Sequence, residues 1–136
     1  MATEIHQKFL SSFTVQASAA ITADAYSGGT QTTASVAGAS GNAEGAWKLH
    51  LWADVTVAPS GGVAVLKVYG QTHYADSDWD TDEEEYCVQG SCPDGETGKI
   101  CLGWVEAGPY HQFRLLSEDY GCTASLVCVP CLPESQ

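Results

Sequence analysis

Six cysteines, Cys87, Cys92, Cys101, Cys122, Cys128 and Cys131, are the first residues of this chain whose types and spacing could do chemistry. Thiolates hold zinc, and Cys128-x-x-Cys131 has the spacing of one half of a structural zinc site. Cys87 and Cys92 would supply the other half across a wider gap. All six are also disulfide candidates, and sequence alone leaves the pairing open. Cys87 and Cys92 flank Val88-Gln89-Gly90-Ser91, which reads as a tight turn that a bridge could close. Cys122 and Cys128 share one predicted strand and lie ~20 Å apart, beyond the roughly 7 Å a disulfide spans. Stapling of the acidic loop and the C-terminus is the preferred reading, because closing long loops stabilises most in principle. Buried free thiols are the third reading. A nucleophilic thiol is disfavoured, since a lowered thiol pKa needs cationic neighbours and the chain has 5 Lys plus Arg against 17 Asp plus Glu.

Asp76, Asp78, Asp80, Asp82, Glu83, Glu84 and Glu85 crowd into one short stretch. Their alternation opens like a calcium loop, but Thr81 stands where the turn glycine belongs and Cys87 where the closing glutamate belongs. A solvated charged loop that projects away from partners is expected instead. His50, His73 and His111 lie on separate predicted strands. They would make a metal-dependent β-barrel enzyme only by converging, and no spacing signature brings them together. Trp47, Trp52, Trp79 and Trp104 could stack on sugar rings. Trp47 and Trp104 read as core, which leaves Trp52 and Trp79 as a thin platform for a carbohydrate-binding module. No nucleophile elbow or phosphate loop occurs, and no cofactor is expected.

These side chains must be held by a folded scaffold. The 136 residues are 44% hydrophobic and 16% charged, which describes one packed domain rather than a disordered chain. The formal charge of −12 argues against nucleic acid and anionic membranes as partners, because both call for Lys and Arg. No apolar run reaches membrane-span length. Met1 to Phe13, with Glu4, His6 and Lys8, lacks the layout of a secretory signal, so synthesis in a reducing cytosol is expected. Ile5, Phe9 and Phe13 recur every fourth residue, a helical spacing. Residues 1–13 are therefore read as an N-terminal arm, one turn tucked against the domain or docked on a neighbouring subunit.

Residues 14–136 read as a single all-β domain. Ala46 to Val57 is the clearest strand, with Trp47, Leu49, Leu51, Ala53, Val55 and Val57 on one face and Lys48, His50, Trp52, Asp54 and Thr56 on the other. A turn at 58–62 leads into Val63 to Tyr74, and the two runs read as a β-hairpin. Residues 76–98 read as one long acidic, cysteine-bearing loop inserted between strands. Ile100, Leu102 and Trp104 then alternate, followed by His111, Phe113 and Leu115. Cys122 to Val129 is the last strand, ended by Pro130 and Pro133 because proline lacks a ladder N–H. Short antiparallel strands separated by turns, with no sustained helical period, give a β-sandwich or jelly roll.

The pattern resembles the small β-sandwich virion proteins of tailed bacteriophages. The residues that carry it are Ala17-Ser18-Ala19-Ala20, Leu49-His50-Leu51-Trp52-Ala53-Asp54-Val55-Thr56-Val57-Ala58, Val65-Leu66-Lys67-Val68-Tyr69, Gly108-Pro109-Tyr110-His111-Gln112-Phe113-Arg114-Leu115, and Ala124 to Glu134. The stretch 76–98 departs from it. The resemblance implies a non-enzymatic structural protein of the virion, assembled in the bacterial host cytoplasm. Head decoration (cement) comes first and a tail or neck component second. The implied partners are the major capsid protein and further copies of the chain in a homotrimer, with Ile5, Phe9 and Phe13 as the candidate interface.

Overall fold

The computed structural model describes residues 8–27, 31–36, 42–57, 62–93 and 95–133. Ile5 and the turn at 58–61 lie outside them. The strands are β1 (Lys8–Phe9), β2 (Phe13–Ile21), β3 (Ala25–Tyr26), β4 (Ala34–Ser35), β5 (Lys48–Thr56), β6 (Ala64–His73), β7 (Glu85–Cys92), β8 (Thr97–Glu106), β9 (Tyr110–Glu118) and β10 (Cys122–Leu132). They form two five-stranded antiparallel sheets packed face to face. The front sheet runs β1-β10-β5-β8, with β2 also paired to β10; the back sheet runs β3-β9-β6-β7, with β4 also paired to β9. If β3 and β4 count as one interrupted strand and β1 is set aside, the front sheet takes the first, eighth, third and sixth strands. The back sheet takes the second, seventh, fourth and fifth, which is jelly-roll connectivity.

Alternation along the strands builds the core. Leu49, Leu51, Ala53 and Val55 of β5 point inward, as do Leu66 and Val68 of β6, Phe113 and Leu115 of β9, and Ala124, Leu126 and Cys128 of β10; all are buried. The expected hairpin between β5 and β6 is not formed. β5 pairs with β10 and β8, while β6 pairs with β9 and β7, so the chain crosses between sheets there. Each strand has one apolar face, and stacking those faces buries both, which side-by-side pairing of the two strands would not do.

Three further expectations are corrected. The stretch 76–98 is not one loop, because Glu85–Cys92 is β7, paired along β6 from Gly70 to Ala64. Phe9 and Phe13 are not on a helix: Phe9 pairs with Cys131 and Phe13 with Cys128, which covers the edge of β10. Pro130 does not end the last strand. It stays in register with Leu49 of β5, and its carbonyl accepts the Leu10 N–H at 2.8 Å. Because N–H and C=O of an antiparallel residue point to the same side, the missing N–H faces the gap where β10 passes from β2 to β1 and costs the β5 ladder nothing.

Candidate functional site

The outer face of the front sheet is built in cross-strand rows. Lys48 lies between Glu106 and Cys131, His50 between Trp104 and Val129, Trp52 between Cys101 and Val127, Asp54 between Lys99 and Ser125, and Thr56 between Thr97 and Thr123. Trp104 stands here because of a β-bulge. Leu51 pairs with Gly103 but Trp52 with Cys101, which leaves Leu102 as an extra residue. Gly103 adopts φ +140°, and a Cβ there would come within 2.8 Å of Val88 Cγ1. The extra residue reverses the phase of β8, so Leu102 points into the core and Trp104 points out. Both Trp47 and Trp104 were expected in the core; they are 45% and 47% exposed. Trp47 precedes β5, and its carbonyl accepts the Ala107 N–H at 2.9 Å. Lys48 Nζ lies 4.2 Å from the ring centroids of both Trp47 and Trp104, a double cation–π contact.

Further along this face, the Phe9 and His50 rings meet edge to face at 5.3 Å. Burial, and then the charge of Lys48, lower the pKa of His50 and keep it neutral. Beside Trp52 lies a depression of about 370 Å³, floored by Val127 and Val129 and flanked by Thr14, Asp54 and Lys99. A second depression of about 460 Å³ shares Asp54 and Lys99 and is bordered by Thr56, Thr97, Thr123 and Ser125. The Lys99 Nζ to Asp54 Oδ1 distance of 3.8 Å is an ion pair but exceeds hydrogen-bond length, so each head keeps hydrogen-bonding capacity.

The outer face of the back sheet is also aromatic. Tyr69 makes edge-to-face contacts with Tyr26 at 5.8 Å and Tyr86 at 6.1 Å. The Arg114 guanidinium sits 3.9 Å over the Tyr26 ring and donates from Nε to the buried Glu84 carboxylate at 3.0 Å. Lys67 pairs with Glu118. The acidic segment is solvated as expected, but it lies along the back sheet instead of projecting away. The Asp80 N–H donates to Gln71 Oε1 at 3.1 Å, Trp79 leans on His73 at 5.3 Å, and Trp79 Nε1 donates to Asp76 Oδ1 at 2.9 Å. Backbone and ring contacts thus fasten it to the back sheet, while Asp76, Asp78, Asp80, Asp82, Glu83 and Glu85 stay exposed and Glu84 turns inward to Arg114. Trp79 is therefore on the opposite sheet from Trp52, and the expected two-tryptophan platform is not assembled.

The three histidines do not converge. His50 lies on the front face, His73 on the back face and His111 between the sheets, lining a cavity of about 320 Å³ that also touches Cys87, Glu83, Glu85 and Glu106. Both nitrogens of His111 are occupied. Nε2 accepts the Gly108 N–H at 2.7 Å, which places the ring proton on Nδ1, 3.1 Å from Thr72 Oγ1. Burial lowers its pKa to about 4, so the ring is a neutral structural group. Among the described residues, no group of three or more His, Cys, Asp or Glu side chains is placed to hold a metal ion.

All six cysteines are free thiols, so the expected staples are not formed. Cys87 and Cys92 lie on one strand, roughly 16 Å apart along β7, and not across a turn. Cys128 and Cys131 likewise stay in the extended β10. The zinc set Cys87, Cys92, Cys128 and Cys131 is consequently split between the two sheets. Burial raises the pKa of Cys87, Cys92 and Cys122, and that of Cys128 to about 12, which keeps them protonated and poor as ligands or nucleophiles. Cys101 alone is exposed, beside Trp52.

Sequence reasoning missed the Tyr26–Tyr69–Tyr86–Arg114–Glu84 network. Its only trace is the outward phase of Tyr69 and Arg114, since the partners come from strands distant in the chain. No protein-family model, curated protein or solved structure matches the chain.

Proposed function

We propose that this chain is a non-enzymatic structural protein of a tailed-phage particle, a head decoration protein that docks on the coat shell through the outer face of its back sheet. The observation that carries this reading is the pre-ordered Tyr26–Tyr69–Tyr86–Arg114 cluster, locked by Glu84. Tyrosine and arginine are the residue types that anchor protein interfaces, and side chains already held in place lose little entropy on docking. The jelly-roll connectivity adds a fold-level analogy to viral capsid proteins, which is support of a weaker kind. The exposed carboxylates Asp78 and Asp82 border this face and steer it toward a basic patch on the shell. Copies around a local threefold axis would form the homotrimer.

The test is co-sedimentation of purified protein with shells from the producing phage that lack it. Saturable binding, weakened about tenfold or more by Tyr86→Ala or Arg114→Ala, is the expected result. Particles that contain none of this polypeptide, or binding indifferent to both substitutions, would refute the reading.

A further inference from the structure

We propose that the outer face of the front sheet binds a linear chain of neutral sugars, with Trp52 as the stacking wall. This does not rest on the virion reading, because the front face is on the opposite side of the sandwich from the docking face. Three observations converge on a glycan. The indole of Trp52 stands beside a shallow site whose floor is Val127 and Val129, a surface that suits the apolar C–H face of a pyranose. At about 370 Å³, the site falls at the small end of the ligand-pocket range of roughly 300–1,000 Å³. Next, Asp54 and Lys99 meet at 3.8 Å, offering acceptors and donors that a pair of vicinal hydroxyls can bridge. Finally, the adjoining depression of about 460 Å³ uses the same two residues and is lined beyond them by the hydroxyls of Thr56, Thr97, Thr123 and Ser125.

The succession of indole, ion pair and hydroxyl field runs along β5 from the Trp52 row to the Thr56 row. Four residue steps of strand make this track roughly 13 Å long, longer than one sugar ring, so the ligand is an oligosaccharide. A protein partner fits this surface less well. Lys99 is 82% exposed, and Lys, Asp and Ser are depleted from the cores of protein interfaces. A polyanion is disfavoured by the formal charge of −12.

The test is titration of the isolated full-length protein with cello-, laminari-, malto-, manno- and chito-oligosaccharides, followed by isotope-edited NMR of the indole N–H groups. The Trp52 signal is expected to shift saturably with at least one of them while the Trp79 signal stays fixed. Trp52→Ala and Asp54→Ala should each weaken binding about tenfold, Trp52→Phe less, and Tyr86→Ala not at all. Trp52 is 36% exposed and the Asp54 side chain about half exposed, and unchanged core resonances are the check that both variants stay folded. The proposal is overturned if no oligosaccharide moves the Trp52 signal, or if binding survives both Trp52→Ala and Asp54→Ala. It is equally overturned if Trp52→Ala abolishes shell co-sedimentation, since the front face would then be the protein dock.

Discussion

At their middles the two outer faces of the sandwich use aromatic side chains in opposite ways. On the back sheet every ring of the cluster has a partner: Tyr69 holds Tyr26 and Tyr86, and Arg114 ties Tyr26 to Glu84. On the front sheet Lys48 brackets Trp47 and Trp104 and Phe9 meets His50, but Trp52 stands beside an open depression and the nearest ion pair is loose. A locked surface suits a fixed complement such as a coat protein, whereas an open one with uncommitted donors suits a ligand that brings its own hydroxyls. The back-face cluster is therefore coupled to fold stability more tightly than the Asp54–Lys99 pair of the front face.

Acid is the largest perturbation, and it should act on both faces together, because His111 lies between the sheets. Its folded pKa is about 4, while the unfolded chain has an ordinary imidazole near 6.5. Above pH 6.5 both states are neutral and nothing is lost. Between 6.5 and 4 only the unfolded chain takes up the proton, so stability declines as the pH falls, by up to about 3 kcal/mol. Urea unfolding from pH 7 to pH 4 measures it, and His111→Gln should flatten that part of the profile. A pH-independent wild-type stability would mean that the ring is not held neutral.

Next in size is a direct contrast between the faces. Arg114→Ala leaves Glu84 buried without its cation and should cost about 2 kcal/mol. Asp54→Ala on the front face removes only the loosely held, half-exposed partner of Lys99 and should change stability by about 0.5 kcal/mol or less. Denaturant titration of the two variants decides the matter. Equal costs would erase the distinction between a locked and an open face.

The inward half of the fold was legible from period-2 alternation, since Leu49, Leu51, Ala53, Val55 and Leu115 needed only a strand to become buried. The all-β class followed from the same signal. Partner choice between strands did not, because alternation states which face is apolar and not which neighbour covers it. That is why β5 and β6 read as a hairpin although they stack across the core. The front face was hidden by one residue: Trp104 keeps the phase of Ile100 and Leu102 in the sequence and loses it at the bulge. Gly103 was the available clue, since a glycine inside a strand often marks such an insertion. Gly103→Ala should cost about 1.5 kcal/mol, because φ +140° and the contact with Val88 both resist a Cβ. If the variant is instead neutral, the bulge is not what turns Trp104 outward.

The smallest expected effect separates stability from presentation on the front face. Lys48 lies against both Trp47 and Trp104 and so ties the two indoles to each other. Each contact is partly exposed, so Lys48→Ala should cost at most about 1 kcal/mol in total. The emission of those tryptophans should nonetheless change, because their rings lose a cation and gain freedom. Lys48→Arg, which keeps a cation able to stack on aromatic rings, should preserve both stability and emission. A Lys48→Ala variant with unaltered emission would show that the bracket does not order the indoles. The Lys48 end of the front face would then be as loosely held as the Asp54–Lys99 pair in its middle.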